Sequence, residues 1–114
     1  MNSRRFLAVA LSFGLSAFVA PQISLAAGSH VAEAIEHVKE AITVGRAGRA
    51  DGFTDHTEEA LKHAEAAQKE KANPHLDEAI SHLKEGVKVG SKGHTDDGVK
   101  HDKEALAHLE EAAK

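Results

Sequence analysis

Apolar residues recur at helical spacing along most of the chain. Val31, Ile35, Val38 and Ile42 are separated by 4, 3 and 4 positions, which predicts an amphipathic helix. Phe53, Ala60, Leu61 and Ala64 mark a second stripe, Leu76, Ile80, Leu83 and Val87 a third, and Val99, Leu106 and Leu109 a fourth. The punctuation agrees with this division. Gly45 closes the first stripe and GRAGR (45–49) follows as a short connector. Asn73-Pro74 reads as an N-cap with proline at the first helical position. GSKGHT (90–95) joins the third stripe to the fourth. No stretch alternates at the period of a strand. Four amphipathic helices with short connectors predict an all-α fold, an up-down-up-down antiparallel four-helix bundle.

The four helices are two copies of one hairpin. A shift of 45 residues places His30 on His75, His37 on His82, Gly45 on Gly90, Gly48 on Gly93, His56 on His101 and His63 on His108, with about half of the aligned positions identical. The first repeat spans residues 30–69 and the second 75–114. A duplicated hairpin ties the architecture to its repeat unit.

The amino-terminal end has a different pattern. Arg4 and Arg5 precede an apolar run, FLAVALSFGLSAFV (6–19), which Pro21 breaks, and Ser24-Leu25-Ala26 offers the small residues of a cleavage site. The expectation is a cleavable secretory signal over residues 1–26, because the run is short for a membrane span. Residues 27–114 then form a single domain in the periplasm, with no stable membrane association. That domain carries 12 basic and 18 acidic residues, a balance that argues against nucleic acid as a partner. It has no cysteine, so export brings no disulfide framework. Phe53 is its only aromatic residue apart from histidine, and a core of Ala, Val, Leu and Ile on this scale is thin.

Histidine alters the picture most. All nine histidines lie after the signal: His30, His37, His56, His63, His75, His82, His94, His101 and His108. Apart from His94 they form pairs at i and i+7, and each paired His except His63 is followed three residues later by Glu. On a helical wheel His30 and His37 lie about a quarter-turn or slightly more from the centre of their apolar stripe, and the same sum puts every other pair on the same flank. Every helix therefore carries a histidine stripe beside its core face, with Glu33, Glu40, Glu59, Glu78, Glu85, Glu104 and Glu111 near it. The two histidines of one helix are about 10 Å apart along the axis and offer separate half-sites. If the first connector centres near residue 46 or 47, His37 is level with His56 and His30 with His63. The second hairpin levels His82 with His101 and His75 with His108. The register also levels His63 with His75, and the sequence leaves open which interface joins the stripes.

Imidazole pairs flanked by carboxylates are a ligand set for divalent transition metals. Cu2+ heads the affinity order, with Ni2+ and Zn2+ also suited. Without Cys or a mature Met, the domain lacks soft ligands for Cu+. Glu beside His also orients the imidazole. Cleavage after Ala27 rather than Ala26 would leave Gly28-Ser29-His30 at the terminus, a square-planar site for Cu2+ or Ni2+. Catalysis finds no support. No Glu-x-x-His projects into the core as a di-iron oxidase needs, no His-Glu-x-x-His is present, and no haem-attachment motif occurs.

The heptads HVKEAIT, HTEEALK, HAEAAQK, HLDEAIS, HLKEGVK, HDKEALA and HLEEAAK, together with the signal and the cysteine-free domain, resemble the small metal-binding proteins of the bacterial periplasm. The resemblance covers essentially the whole mature chain. It implies a monomeric helical bundle that binds several divalent ions, copper among them, in a buffering or scavenging role, with the nine histidines as ligands. Arg49 stands where the second repeat has His94, so the first connector lacks that ligand. The expected function is thus non-enzymatic metal sequestration. A helical interaction or stress protein with pH-sensing histidines is the rival, and a metallochaperone a weaker one.

Overall fold

A computed structural model describes residues 26–114. Four helices follow one another: α1 (Ala26–Arg46), α2 (Ala50–Glu70), α3 (Pro74–Gly90) and α4 (Thr95–Ala112). Among the described residues there is no strand. Consecutive helices pack on each other, and α1 also packs on α4, which closes the ring of an antiparallel four-helix bundle. The signal expected over residues 1–26 lies, Ala26 apart, outside the described residues. None of the described helices is long and apolar enough to cross a membrane.

The connectors follow from local chemistry and are repeated with the sequence. Gly48 and Gly93 have φ of 78° and 84°, the left-handed region in which glycine avoids the steric cost of a Cβ. The next amide closes each turn, Arg49 N–H donating to the Val44 carbonyl and His94 N–H to the Val89 carbonyl, both at 3.0 Å. α1 runs one residue past the glycine at which its stripe stops, to Arg46, whereas α3 ends on Gly90. The turn between the hairpins is held differently. Asn73 caps α3 by accepting from the His75 amide at 2.8 Å, ahead of Pro74. The Gln68 side chain accepts from the Asn73 amide at 2.8 Å and donates to Asp77.

Seven of the fifteen buried apolar residues are alanine, and this shifts the core away from the centre of the sequence stripes. Ala34, Val38 and Ala41 are fully buried on α1, whereas Ile35 is only partly covered. Ala79 and Leu83 are buried on α3, while Ile80 is partly covered. The same holds for Leu61 on α2 and Leu106 on α4. Alanine lets helix backbones approach closely, so each helix turns its small residues inward. That rotation moves the core face toward the histidine flank.

The duplication is broken where the two hairpins meet. Phe53 is fully buried in space left by glycine: a Cβ on Gly98, the residue equivalent to Phe53 in the second repeat, would lie 2.5 Å from its ring. Cβ atoms on Gly45 and Gly90 would come within 2.9 and 2.7 Å of the same ring. One turn further into the bundle, Thr57 and Asp102, again equivalent under the 45-residue shift, are both fully buried. The Thr57 hydroxyl donates to Asp102 Oδ2 at 2.7 Å, while Asp102 Oδ1 has no partner. Burial pushes the Asp102 carboxyl up to about 7, opposed by the Thr57 hydrogen bond. A Cβ on Gly86 would lie 2.6 Å from Oδ1; the first repeat has Ala41 at the equivalent position.

Candidate metal centre

Two features bring the histidines together: heptad spacing on each helix and a tight connector between helices. In the first hairpin His30 Nδ1 and His63 Nδ1 are 3.0 Å apart, and the rings of His37 and His56 are centred 5.8 Å apart. In the second, His75 Nδ1 and His108 Nδ1 are 3.2 Å apart, and His82 Nδ1 and His101 Nδ1 are 3.5 Å apart. All four pairs are those the register predicts, and all lie within a hairpin. The interface that the sequence left open is therefore α1–α2 and α3–α4. The described ring contacts do not include one between His63 and His75.

The pairs join into ladders. His37 stacks on His63 at 5.6 Å with the planes 9° apart, and His82 on His108 at 5.9 Å and 13°. Each hairpin thus carries a zigzag of four imidazoles, His30–His63–His37–His56 and His75–His108–His82–His101. His75 is exposed, and the other seven are half-buried, which follows from the inward turn of the alanine face. His94 is exposed at the N-cap of α4 without a capping side-chain bond, away from both ladders, and Arg49 occupies the matching position before α2.

Carboxylates meet the ladders unevenly. Glu33 lies with His37 and His63, and Glu78 with His82 and His108; in each group one ligand atom per residue falls within 4.8 Å of the others. Glu40 forms a third group with His37 and His56, its Oε1 lying 3.5 Å from His37 Nδ1 and 3.3 Å from His56 Nδ1. Glu85, the counterpart of Glu40, belongs to no such group among the described residues, and neither does Glu104. Glu59 pairs with Lys62 at 3.4 Å. Glu111 pairs with Lys114 at 2.9 Å; that bond and the lysine's charge hold its carboxyl below the ordinary value, helped to a lesser degree by His75 and His108.

The donor set fits a divalent transition ion. Two imidazole nitrogens at about 2.0–2.1 Å from a tetrahedral ion are about 3.3 Å apart, and the observed Nδ1 separations bracket that value. His37 Nδ1 is shielded from solvent and lacks a hydrogen-bond partner, although buried polar atoms are ordinarily paired. Two positive rings in such close contact would repel each other, while a cation between two neutral rings is held by both. The sequence reading missed Thr57 and Asp102. Their signal was present: both sit at core spacing, at positions made equivalent by the repeat.

The chain matches no curated protein. The family model described as small metal-binding protein matches residues 4–112, a span that includes both ladders and both connectors. The histidine ladders, the carboxylates beside them and this match across nearly the whole chain place the protein in the small metal-binding protein family.

Proposed function

We propose that the protein sequesters divalent transition-metal ions in the periplasm, buffering their free concentration without catalysing a reaction. The observation that carries this reading is the pairing of imidazoles across each hairpin at the nitrogen spacing of two ligands on one ion. Glu33, Glu40 and Glu78 supply negative charge and further donor atoms. The all-nitrogen and oxygen ligand set favours Cu2+, then Ni2+ and Zn2+. Binding stiffens a bundle in whose core seven of fifteen buried apolar residues are alanine, because affinity for the folded state adds to stability. Acidification protonates imidazole ligands and so releases the ion.

The test is a titration of the purified, chelator-stripped protein with Cu2+, Ni2+ and Zn2+ at pH 7, with heat and helical circular dichroism followed together. Tight uptake of two or more ions is expected, lost when His37, His56, His82 and His101 are all replaced by Gln. Assembly that varies with pH but ignores chelators, with no tight ion, would instead support the pH-sensing reading, which the close His–His contacts also permit.

A further inference from the structure

The two hairpins share a sequence repeat, yet their ligand groups differ. The second hairpin has one three-residue group, Glu78–His82–His108, whereas the first has two, Glu33–His37–His63 and His37–Glu40–His56. Both groups of the first hairpin contain His37. A neutral imidazole has one lone pair for one acceptor role, its other nitrogen being a donor. His37 can therefore complete only one of the two groups at a time.

We infer, on the basis of the metal-binding reading above, that the first hairpin holds one tightly bound divalent ion in two alternative positions, with His37 as the shared ligand. The inner position uses Glu33 and His63. The connector-side position uses Glu40 and His56, where a shallow groove lined by Glu36, Lys39, Glu40, Thr43, Val44 and His56 opens to solvent. The ion changes position by keeping His37 and exchanging the other two ligands, so it reaches the open groove without becoming free. In the second hairpin Glu85 joins no such group with His82 and His101, so that imidazole pair lacks the carboxylate that completes the connector-side position. Each stacked diagonal, His37 on His63 and His82 on His108, supports an inner position. The Glu40 contacts with both His37 and His56 give the first hairpin its second position.

The experiment compares ion counts in single variants of the full chain, using Zn2+ in calorimetry and nitrogen-detected magnetic resonance of the imidazoles. His56→Gln and Glu33→Gln, which each disable one position, are expected to leave the number of tight ions unchanged. In His56→Gln the bound ion shifts His37 and His63, and in Glu33→Gln it shifts His37 and His56. His37→Gln, which disables both positions, removes one ion from the count. A second set in a chain with His75, His82, His101 and His108 replaced by Gln isolates the first hairpin, where one tight equivalent is expected. Two tight equivalents there, or a count lowered by one in both His56→Gln and Glu33→Gln, would overturn the sharing and leave the metal-binding reading intact. An unmodified chain that binds no tight ion would overturn both.

Discussion

Replacing Asp102 by Asn isolates the most unusual group of the core. The carboxyl is fully buried, accepts one hydrogen bond from Thr57, and leaves Oδ1 unpaired. Its folded value of about 7 stands above the ordinary 3.8. The folded protein therefore holds a proton that the unfolded chain releases between about pH 4 and 7, and stability falls as pH rises through that window. At about 1.4 kcal/mol per decade the loss amounts to about 4 kcal/mol, a large part of what a small domain possesses. It is fully present above about pH 7 and absent below about pH 4. Asparagine has nearly the same shape, can accept the same Thr57 bond and never ionises. Whatever constant offset its amide brings, the unfolding free energy of Asp102→Asn relative to the unmodified protein should rise by about 4 kcal/mol from about pH 4 to about pH 8, then level off. Urea unfolding followed by circular dichroism in chelator, at unit steps of pH, measures the difference, and the histidine contributions cancel between the two proteins. Parallel stability curves would refute the reasoning, because they would mean that Asp102 ionises in the folded protein as readily as in the unfolded chain.

Three further outcomes are expected. Phe53→Ala should cost about 3–5 kcal/mol by emptying the space that Gly45, Gly90 and Gly98 leave for its ring, and Gly98→Ala about 1–3 kcal/mol by overpacking it; thermal melts of the double variant should show far less than the sum, since both act on one contact. Gly48→Ala, at a positive φ with open space around it, should cost about 1–2 kcal/mol from backbone strain alone, measured by urea unfolding without metal. Saturating Zn2+ or Cu2+ at about 100 times the dissociation constant should add about 2.7 kcal/mol per site, and the gain in melting temperature should vanish in excess chelator and at pH 5; a gain that survives at pH 5 would count against imidazole ligands.

Much of the fold and of the ladders is legible in the amino-acid sequence. Helix count, the capping by Asn73 and the repeat are local properties, written in apolar periodicity, glycine placement and the N-cap chemistry of single residues. The levelling of His30 with His63 and of His37 with His56 is legible for a related reason: equal heptad spacing on two helices joined by a tight turn leaves one antiparallel register. The large apolar residues are a poorer guide to the core. Ile35, Leu61, Ile80 and Leu106 belong to the sequence stripes, yet each is only partly covered, because close approach of helices is set by the alanines between them.

By itself, then, the chain sequence determined four helices in two equivalent hairpins, a histidine stripe on each and the register across each connector, all consequences of spacing along one chain. Tertiary packing decided what spacing cannot express. It placed the stripes inside the hairpins rather than between them, half-buried seven of the eight ladder histidines, and brought Glu40 to His37 and His56 while leaving Glu85 aside. It also set Phe53 against Gly98 and Thr57 against Asp102, pairs that the repeat makes equivalent in sequence and that meet only across the bundle. The physical reason is that a helical period fixes the direction of a side chain about its own axis, whereas the neighbour it meets depends on the volumes of side chains on another helix.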